Sequence, residues 1–340
     1  MLKALVLLLM FLSGYILYLV ADAGYFREIS DIKFGDCKSS SIIEGPEDMV
    51  QIPGEDHVLI SSDLRGDLAQ GDLFQYDLKT RQAFPLIKKL KLSFNFHPHG
   101  IDLFKTEDQI LVYAINHRDK HHTTLEVFNW QSTNELKYIK SIEHPLLQSA
   151  NDLALVSTES FYITSDFGSP DPLRKMIEPY TYIASGYISF FQNEKIASKV
   201  DEHIFFANGI AVSSDQRYLI AAAMLSKKVL IYERFNSEIR RKNTLSLEGA
   251  PDNITVRDNH ALVAVHPNLL RLRKMSEQRR KIAPSKIISI ENWQGEKPIQ
   301  KVIYENSGEE ISAASVALAI DPNHILIGSV FDNHILDCRK

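Results

Sequence analysis

The chain has 340 residues, 44% hydrophobic, 24% charged and 9% aromatic, which excludes disorder as its main state and leaves enough chain for a large core. A formal net charge of −5 argues against a dedicated nucleic-acid binder, whose surface is ordinarily basic. Two cysteines exclude a disulfide-rich mini-scaffold and a four-cysteine zinc module, and 15 glycines with 13 prolines are too few for a fibrous chain.

The first element is apolar. Ala4 to Val20 is interrupted only by Ser13, Gly14 and two tyrosines; Lys3 precedes the run and Asp22 is the first acid after it. Residues 1–24 therefore read as a signal sequence or an uncleaved signal anchor, with Ala21-Asp22-Ala23 as a weak cleavage site. The run is at the short edge of a bilayer span. The one positive charge before it places the body, residues 30–340, across the membrane. A buried core helix is the alternative, and the missing polar face argues against it. The expected location is secreted, periplasmic or extracytoplasmic and membrane-anchored. In an exported chain Cys37 and Cys338 most simply pair with each other, the alternative being two unpaired thiols. A bridge would make the start and end of the body neighbours.

Beyond residue 30, short β-rich runs and turn signals replace any helical period. One unit recurs six times: a polar leader, an apolar strand, a polar turn and a second alternating strand. The first copy runs Glu47-Asp48-Met49-Val50-Gln51-Ile52, turns at Gly54-Glu55-Asp56 and returns through Val58-Leu59-Ile60. Later copies start at His99, Asn151, Asn208, Asp252-Asn253 and Ser315, at intervals averaging about 54 residues, somewhat longer than the roughly 40–50 residues of common propeller blades. Between them lie further alternating strands such as Lys228 to Tyr232. The reading is an all-β, six-bladed β-propeller forming a single domain over 30–340, with an N-terminal hydrophobic helix and one covering helix within Pro170 to Tyr187. Ring closure requires the chain ends to share a blade, which the Cys37–Cys338 bridge would pin.

The first strand of each blade lines the central channel, so the leaders Glu47, His99, Asn151, Asn208, Asp252/Asn253 and Ser315 are expected to converge at one face. Carboxylates and amides are hard oxygen ligands, and Ca²⁺ accepts 6–8 of them in irregular geometry, whereas zinc prefers His and Cys. The alternative is that these residues only cap turns. The sequon Asn253-Ile254-Thr255 is discounted, because a metal-facing asparagine carries no glycan. There is no G-x-S-x-G elbow, H-E-x-x-H or P-loop.

With Phe96-His97-Pro98-His99-Gly100-Ile101, Asn116-His117, Ala150-Asn151-Asp152, Phe206-Ala207-Asn208-Gly209-Ile210, Pro251-Asp252-Asn253-Ile254 and His266-Pro267-Asn268, the chain resembles the serum paraoxonase/arylesterase family from about residue 1 to 338. The resemblance implies a central tunnel with two calcium ions. Glu47, Asn151, Asn208, Asp252 and Asn253 would hold the catalytic ion; Asp48, Asp152 and the carbonyl of Ile101 would hold the structural ion. His99 and His117 would form a catalytic dyad, His99 as general base and His117 orienting or relaying, with His266 and Phe206 in the pocket wall. The implied reaction is hydrolysis of lactones and aryl esters, with some organophosphates as side substrates. The hydrophobic N-terminus would attach to membrane or lipid, and no nucleic-acid partner is expected.

Two segments depart from the family pattern. The loop Ser62-Asp63-Leu64-Arg65-Gly66-Asp67 lacks the lid aromatic of the mammalian enzymes, and Arg118-Asp119-Lys120-His121-His122 is rich in histidine. His117, His121 and His122 raise zinc as a possibility, against which a polar hairpin turn is favoured, since no carboxylate or cysteine completes the set. Arg271 to Lys281 reads as a solvated basic connector, with a membrane-surface role as the alternative. Some family relatives act as membrane-bound assembly factors, so a non-catalytic propeller assisting membrane-protein assembly is the alternative function; a propeller hydrolase with another metal is a third.

Overall fold

A computed structural model describes residues 2–64, 70–119, 121–169, 171–278 and 281–340. The alternating runs form six four-stranded antiparallel sheets. Their innermost strands are Pro46–Gln51, Pro98–Lys105, Ala150–Leu155, Ala207–Val212, Ala250–Arg257 and Ala314–Asp321. Each touches the innermost strand of the next sheet, and the sixth touches the first, so the sheets close into a six-bladed propeller.

Adjacent blades meet across apolar layers. Tyr113 and Leu125 of the second blade pack with Leu153, Phe161 and Phe191 of the third, all essentially buried. Truncating one such ring, as in Phe161→Ala, is expected to cost about 3–5 kcal/mol through lost transfer energy and a cavity.

The sixth blade takes three strands from the C-terminus (Ala314–Asp321, His324–Ser329, His334–Arg339) and its outermost strand from the N-terminus, Asp36–Ile42. Cys37 lies directly opposite Cys338 in that pairing and is disulfide-bonded to it, the expected ring closure. The same strand carries Asp337, fully buried. It accepts from Tyr76 of the first blade at 3.1 Å and faces His324 at 3.0 Å, Arg339 at 3.0 Å and Arg81 at 3.3 Å. Burial opposes its charge, but the bonds from His324 and Arg339 and the nearby cations outweigh it and bring the carboxyl down to about 2.

Three helices cover one end of the propeller. Helix α1 (Leu2–Asp22) has 21 residues, longer than the apolar run alone; at 1.5 Å per residue it reaches about 30 Å, the thickness of a bilayer core. Helix α2 (Pro172–Thr181) falls in the expected covering segment, capped by Asp171, which accepts from Leu173 N at 2.9 Å. The sequence led us to expect a single covering helix, and the structure corrects this. Leu269–Glu277 forms α3, capped by Asn268, which accepts from Arg271 N at 3.0 Å. Most of the stretch read as a solvated connector, Arg271 to Lys281, thus lies in a helix that carries Leu269, Leu272 and Met275 at helical spacing beneath its basic residues, and Met275 is buried. Arg279 and Arg280, in the same stretch, lie outside the described residues, as do Lys120, Pro170 and Arg65 to Ala69 in the loop lacking an aromatic lid.

Candidate active site

All six innermost strands break register at the polar leaders: between Pro46 and Asp48, Pro98 and Ile101, Ala150 and Leu153, Ala207 and Ile210, Pro251 and Ile254, and Ala314 and Val316. A bulge re-aims the side chains it carries. Here the bulges turn Glu47, His99, Asn151, Asn208 and Asp252 into one cavity, together with His266 and Phe206. Ser315 is not in its wall; its hydroxyl donates to the carbonyl of Glu47 at 2.8 Å. Asn253, adjacent to Asp252 in sequence, donates to the same carbonyl at 3.0 Å. Thus Asp252 has its carboxylate in the cavity, while the side-chain amide of Asn253 and the hydroxyl of Ser315 tie the fifth and sixth blades to the first.

Around the cavity floor the side chains form a connected set. Glu47 Oε1 stands 2.7 Å from His99 Nε2. His99 Nδ1 is 2.8 Å from His117 Nε2, and His117 Nδ1 is 3.0 Å from Thr123 Oγ1. On the other side, Asn208 Nδ2 donates to Asp252 Oδ1 at 2.7 Å, and Asp252 Oδ2 faces His266 Nε2 at 2.7 Å. Two buried acceptors in this set, Asn151 Oδ1 and Asn208 Oδ1, have no hydrogen-bond donor among the described residues. Unpaired acceptors are costly in a protein interior.

One position further along each strand lies a second layer. Asp48 accepts from Met49 N and Ile101 N, each at 2.8 Å; Asp152 accepts from Leu153 N and Ile210 N, each at 2.8 Å. Each carboxylate bolts its blade to the next. Burial pushes the Asp48 carboxyl up to about 8 against those backbone bonds, and burial with the field of Asp48 pushes Asp152 well up. Between them sits Gly100, where a Cβ would come 2.4 Å from Asp152 Oδ1 and 2.8 Å from the carbonyl of Asn151. Asp102, which sequence reasoning passed over, makes a similar bolt to Leu155 N at 2.7 Å.

No group of three or more His, Cys, Asp or Glu side chains among the described residues is arranged to hold a metal. The converging oxygen donors are a mixture of carboxylates and amides; the one sulfur beside them, Met224 Sδ, accepts from Asn208 Nδ2 at 3.5 Å. His117 is turned into the dyad, away from any set with His121 and His122, which line a separate cavity.

The main cavity measures about 830 Å³, and its wall is predominantly apolar, a size that suits a small organic molecule. Sequence reasoning missed most of that wall. Leu19 and Val20 come from α1, Met176 and Pro179 from α2, and Leu269 and Leu272 from α3. Phe206 joins them with a left-handed backbone, φ 60°, its ring edge-on to Phe167 at 5.2 Å. The end of α1 is bonded into this roof. Asp22 pairs with Lys227 and accepts from Tyr182 Oη at 3.0 Å, Ala23 O accepts from Leu269 N at 2.9 Å, and Gly24 O accepts from Asn268 Nδ2 at 3.2 Å.

Comparison with known proteins follows the same lines. Residues 41–339 match the family model described as Arylesterase. Mouse serum paraoxonase/arylesterase 1 is 30% identical over 325 residues, covering 90% of this chain and 89% of its own length; human serum paraoxonase/lactonase 3 is 28% identical over 322 residues, with the same coverage. Among solved structures, a luciferin-regenerating enzyme superposes with a TM-score of 0.58 at 13% identity, covering 90% of this chain and 95% of its own, a likeness of fold alone. The chain belongs to the arylesterase family of six-bladed propellers.

Proposed function

We propose that this protein is a calcium-dependent hydrolase of lactones and aryl esters, held at a membrane or lipid surface by residues 1–24 and facing a non-cytoplasmic compartment. The observation that carries the reading is the convergence of Glu47, Asn151, Asn208 and Asp252 beside the His99–His117 pair in one apolar-walled cavity. The same cavity chemistry fits the lactonase and arylesterase activities that the relatives' names print.

Two hard-oxygen sites fit the residues present. Glu47, Asn151, Asn208 and Asp252, with Asn253 behind them, would hold one Ca²⁺; the orphaned oxygens of Asn151 and Asn208 support this. Asp48 and Asp152, with the carbonyl of Ile101, would hold the second, and a cation there would offset the cost of two buried carboxylates. When bound, the first ion supplies charge stabilisation for a carbonyl oxygen that becomes negative.

The chain's own groups do the rest. His99 takes a proton from water at the ring nitrogen beside Glu47, and the hydroxide adds to the carbonyl carbon. His117, held through Thr123, orients His99 and receives charge from it. The acyl–oxygen bond then breaks, the proton of the new carboxylic acid passes to the leaving oxygen, and the proton taken up by His99 is the one released per turnover. Asn151, whose amide bonds to no other described residue, is placed to donate to the substrate oxygen. A general base contributes about 10²–10⁴-fold, so His99→Gln is expected to weaken activity without abolishing it. The direct test is hydrolysis of a lactone and aryl-ester panel by the purified protein with and without a calcium chelator. Activity that is lost on chelation and restored by Ca²⁺ supports the reading; activity indifferent to chelation contradicts it.

A further inference from the structure

The histidine-rich segment after His117 has no part in the site described so far. His121 and His122, with Glu143 and His144, line a second cavity of about 410 Å³. Thr123 and Gln148 complete its wall, and Thr123 is the residue whose hydroxyl meets His117 Nδ1 at 3.0 Å. One buried side chain therefore touches the dyad and borders a separate cavity that opens at the exposed His121 and Glu143.

Ester and lactone hydrolysis releases one proton per turnover at neutral pH. The main cavity is roofed by three helices and walled mostly by apolar groups, a poor route for a proton. The hydrogen-bonded chain runs the other way: His99 to His117 at 2.8 Å, His117 to Thr123 at 3.0 Å, and Thr123 Oγ1 to the carbonyl of Gln148 at 3.2 Å. We propose that protons from the dyad leave sideways, from His117 through the Thr123 hydroxyl into the second cavity, where His122 and Glu143 pass them to solvent. The inference rests on the hydrolase reading above.

The step balances without any further reagent. His117 gives its Nδ1 proton to Thr123 Oγ1 as the hydroxyl, turning from Gln148, gives its own proton to water in the second cavity. His117, charged by the proton it took from His99 at Nε2, is left neutral by this loss, and it returns to the Nδ1–H tautomer before it accepts the next proton. The charged and titratable groups facing the exit are His122 Nε2, 3.6 Å from Glu143 Oε1; Arg118 Nη1, 3.8 Å from the same oxygen; Asp119, which accepts from His121 N; and His144, whose Nδ1 accepts from Leu146 N at 3.1 Å. A histidine beside a carboxylate suits a proton relay near pH 7.

The test measures phenyl acetate hydrolysis by the full-length protein at constant ionic strength, in dilute buffer and with added imidazole. Thr123→Val is expected to lower kcat about tenfold or more in dilute buffer with KM unchanged; imidazole restores the rate, and Thr123→Ser restores most of it without imidazole. The double variant His122→Gln/Glu143→Gln, on the open side of the cavity, shows the same buffer-relieved loss and keeps the proposal testable if Thr123→Val does not fold. A Thr123→Val loss that imidazole leaves untouched assigns Thr123 a structural role and overturns the route. So does a double variant with the buffer dependence of the unaltered protein. Absence of chelator-sensitive hydrolysis in the unaltered protein overturns the hydrolase reading and the route together, whereas chelator-sensitive hydrolysis with no buffer effect overturns the route alone.

Discussion

Gly100 is the residue on which the two candidate ion sites depend sterically. Its missing side chain leaves room that a Cβ would fill at 2.4 Å from Asp152 Oδ1, 2.6 Å from Asp152 Cα and 2.8 Å from the carbonyl of Asn151. Two of these atoms are backbone of the adjacent blade, so Gly100→Ala cannot be absorbed by one rotamer. Overpacking of this kind costs about 1–3 kcal/mol, and the backbone contacts put the change at the upper end. With an unfolding entropy of about 2.1 cal/mol/K per residue over roughly 300 propeller residues, that is a fall in Tm of about 2–5 °C. The displaced atoms belong to Asn151 and Asp152, one from each proposed set, so calcium affinity falls as well; each tenfold loss removes about 1.4 kcal/mol of ligand stabilisation at saturating metal. The assay is thermal unfolding of both proteins across a calcium titration. The gap in Tm is expected to widen as calcium is raised. A variant within about 1 °C of the unaltered protein at every calcium concentration would refute the reasoning.

Replacing Cys37 and Cys338 together by serine opens a covalent loop of sequence separation 301. The loop-entropy model puts this at about 6 kcal/mol, a fall in Tm of about 9 °C, with activity well below the transition unchanged; an unaltered Tm would show that closure does not need the bridge. Asp337 gives a pH signature. Its folded carboxyl lies near 2, below the ordinary value of about 3.9, so its contribution is complete above about pH 4 and is lost as pH falls toward 2. The stability gap between the unaltered protein and Asp337→Asn should therefore be full at pH 7 and close over that acid range in chemical denaturation; a gap constant from pH 7 to 2 contradicts the assignment. Removing residues 2–14 should release the protein from membranes and leave the propeller folded, because the bonds from α1 to the roof begin at Tyr15, which donates to the carbonyl of Tyr180 at 2.6 Å. Removal through residue 24 should in addition change KM for bulky esters, since Leu19, Val20 and Ala23 line the cavity; sedimentation with vesicles and steady-state kinetics check both.

The propeller is readable in the chain because each blade repeats the same polar leader before an apolar strand, and because Cys37 and Cys338 mark its seam. The roof is not readable in the same way. In α3 the basic residues Arg271, Arg273 and Lys274 dominate the composition, and Leu269, Leu272 and Met275 are too few to announce a buried face. The docking of α1 depends on partners far away in sequence, Asp22 on Lys227 and Ala23 on Leu269, which no local pattern carries. Neighbouring polar residues were a finer difficulty. Asp252 and Asn253 look alike as leaders until the bulge between Pro251 and Ile254 sends one carboxylate into the cavity and turns the other side chain to a carbonyl. Ser315 shares the repeat position, yet its short hydroxyl reaches the Glu47 carbonyl across the seam between the sixth and first blades instead of the cavity.

Two ions with divided roles are the centre of the proposal, and counting bound calcium by equilibrium dialysis tests it most directly, with hydrolysis and Tm followed in the same samples. The unaltered protein should bind two Ca²⁺. Asp252→Ala should bind one and lose hydrolysis more than stability, because Asp252 stands in the cavity beside Asn208 and His266. Asp152→Ala should bind one and lose stability more than hydrolysis, because its carboxylate bolts the third blade to the fourth. An unaltered protein that binds no calcium, or two variants with identical losses of hydrolysis and stability, would contradict the account.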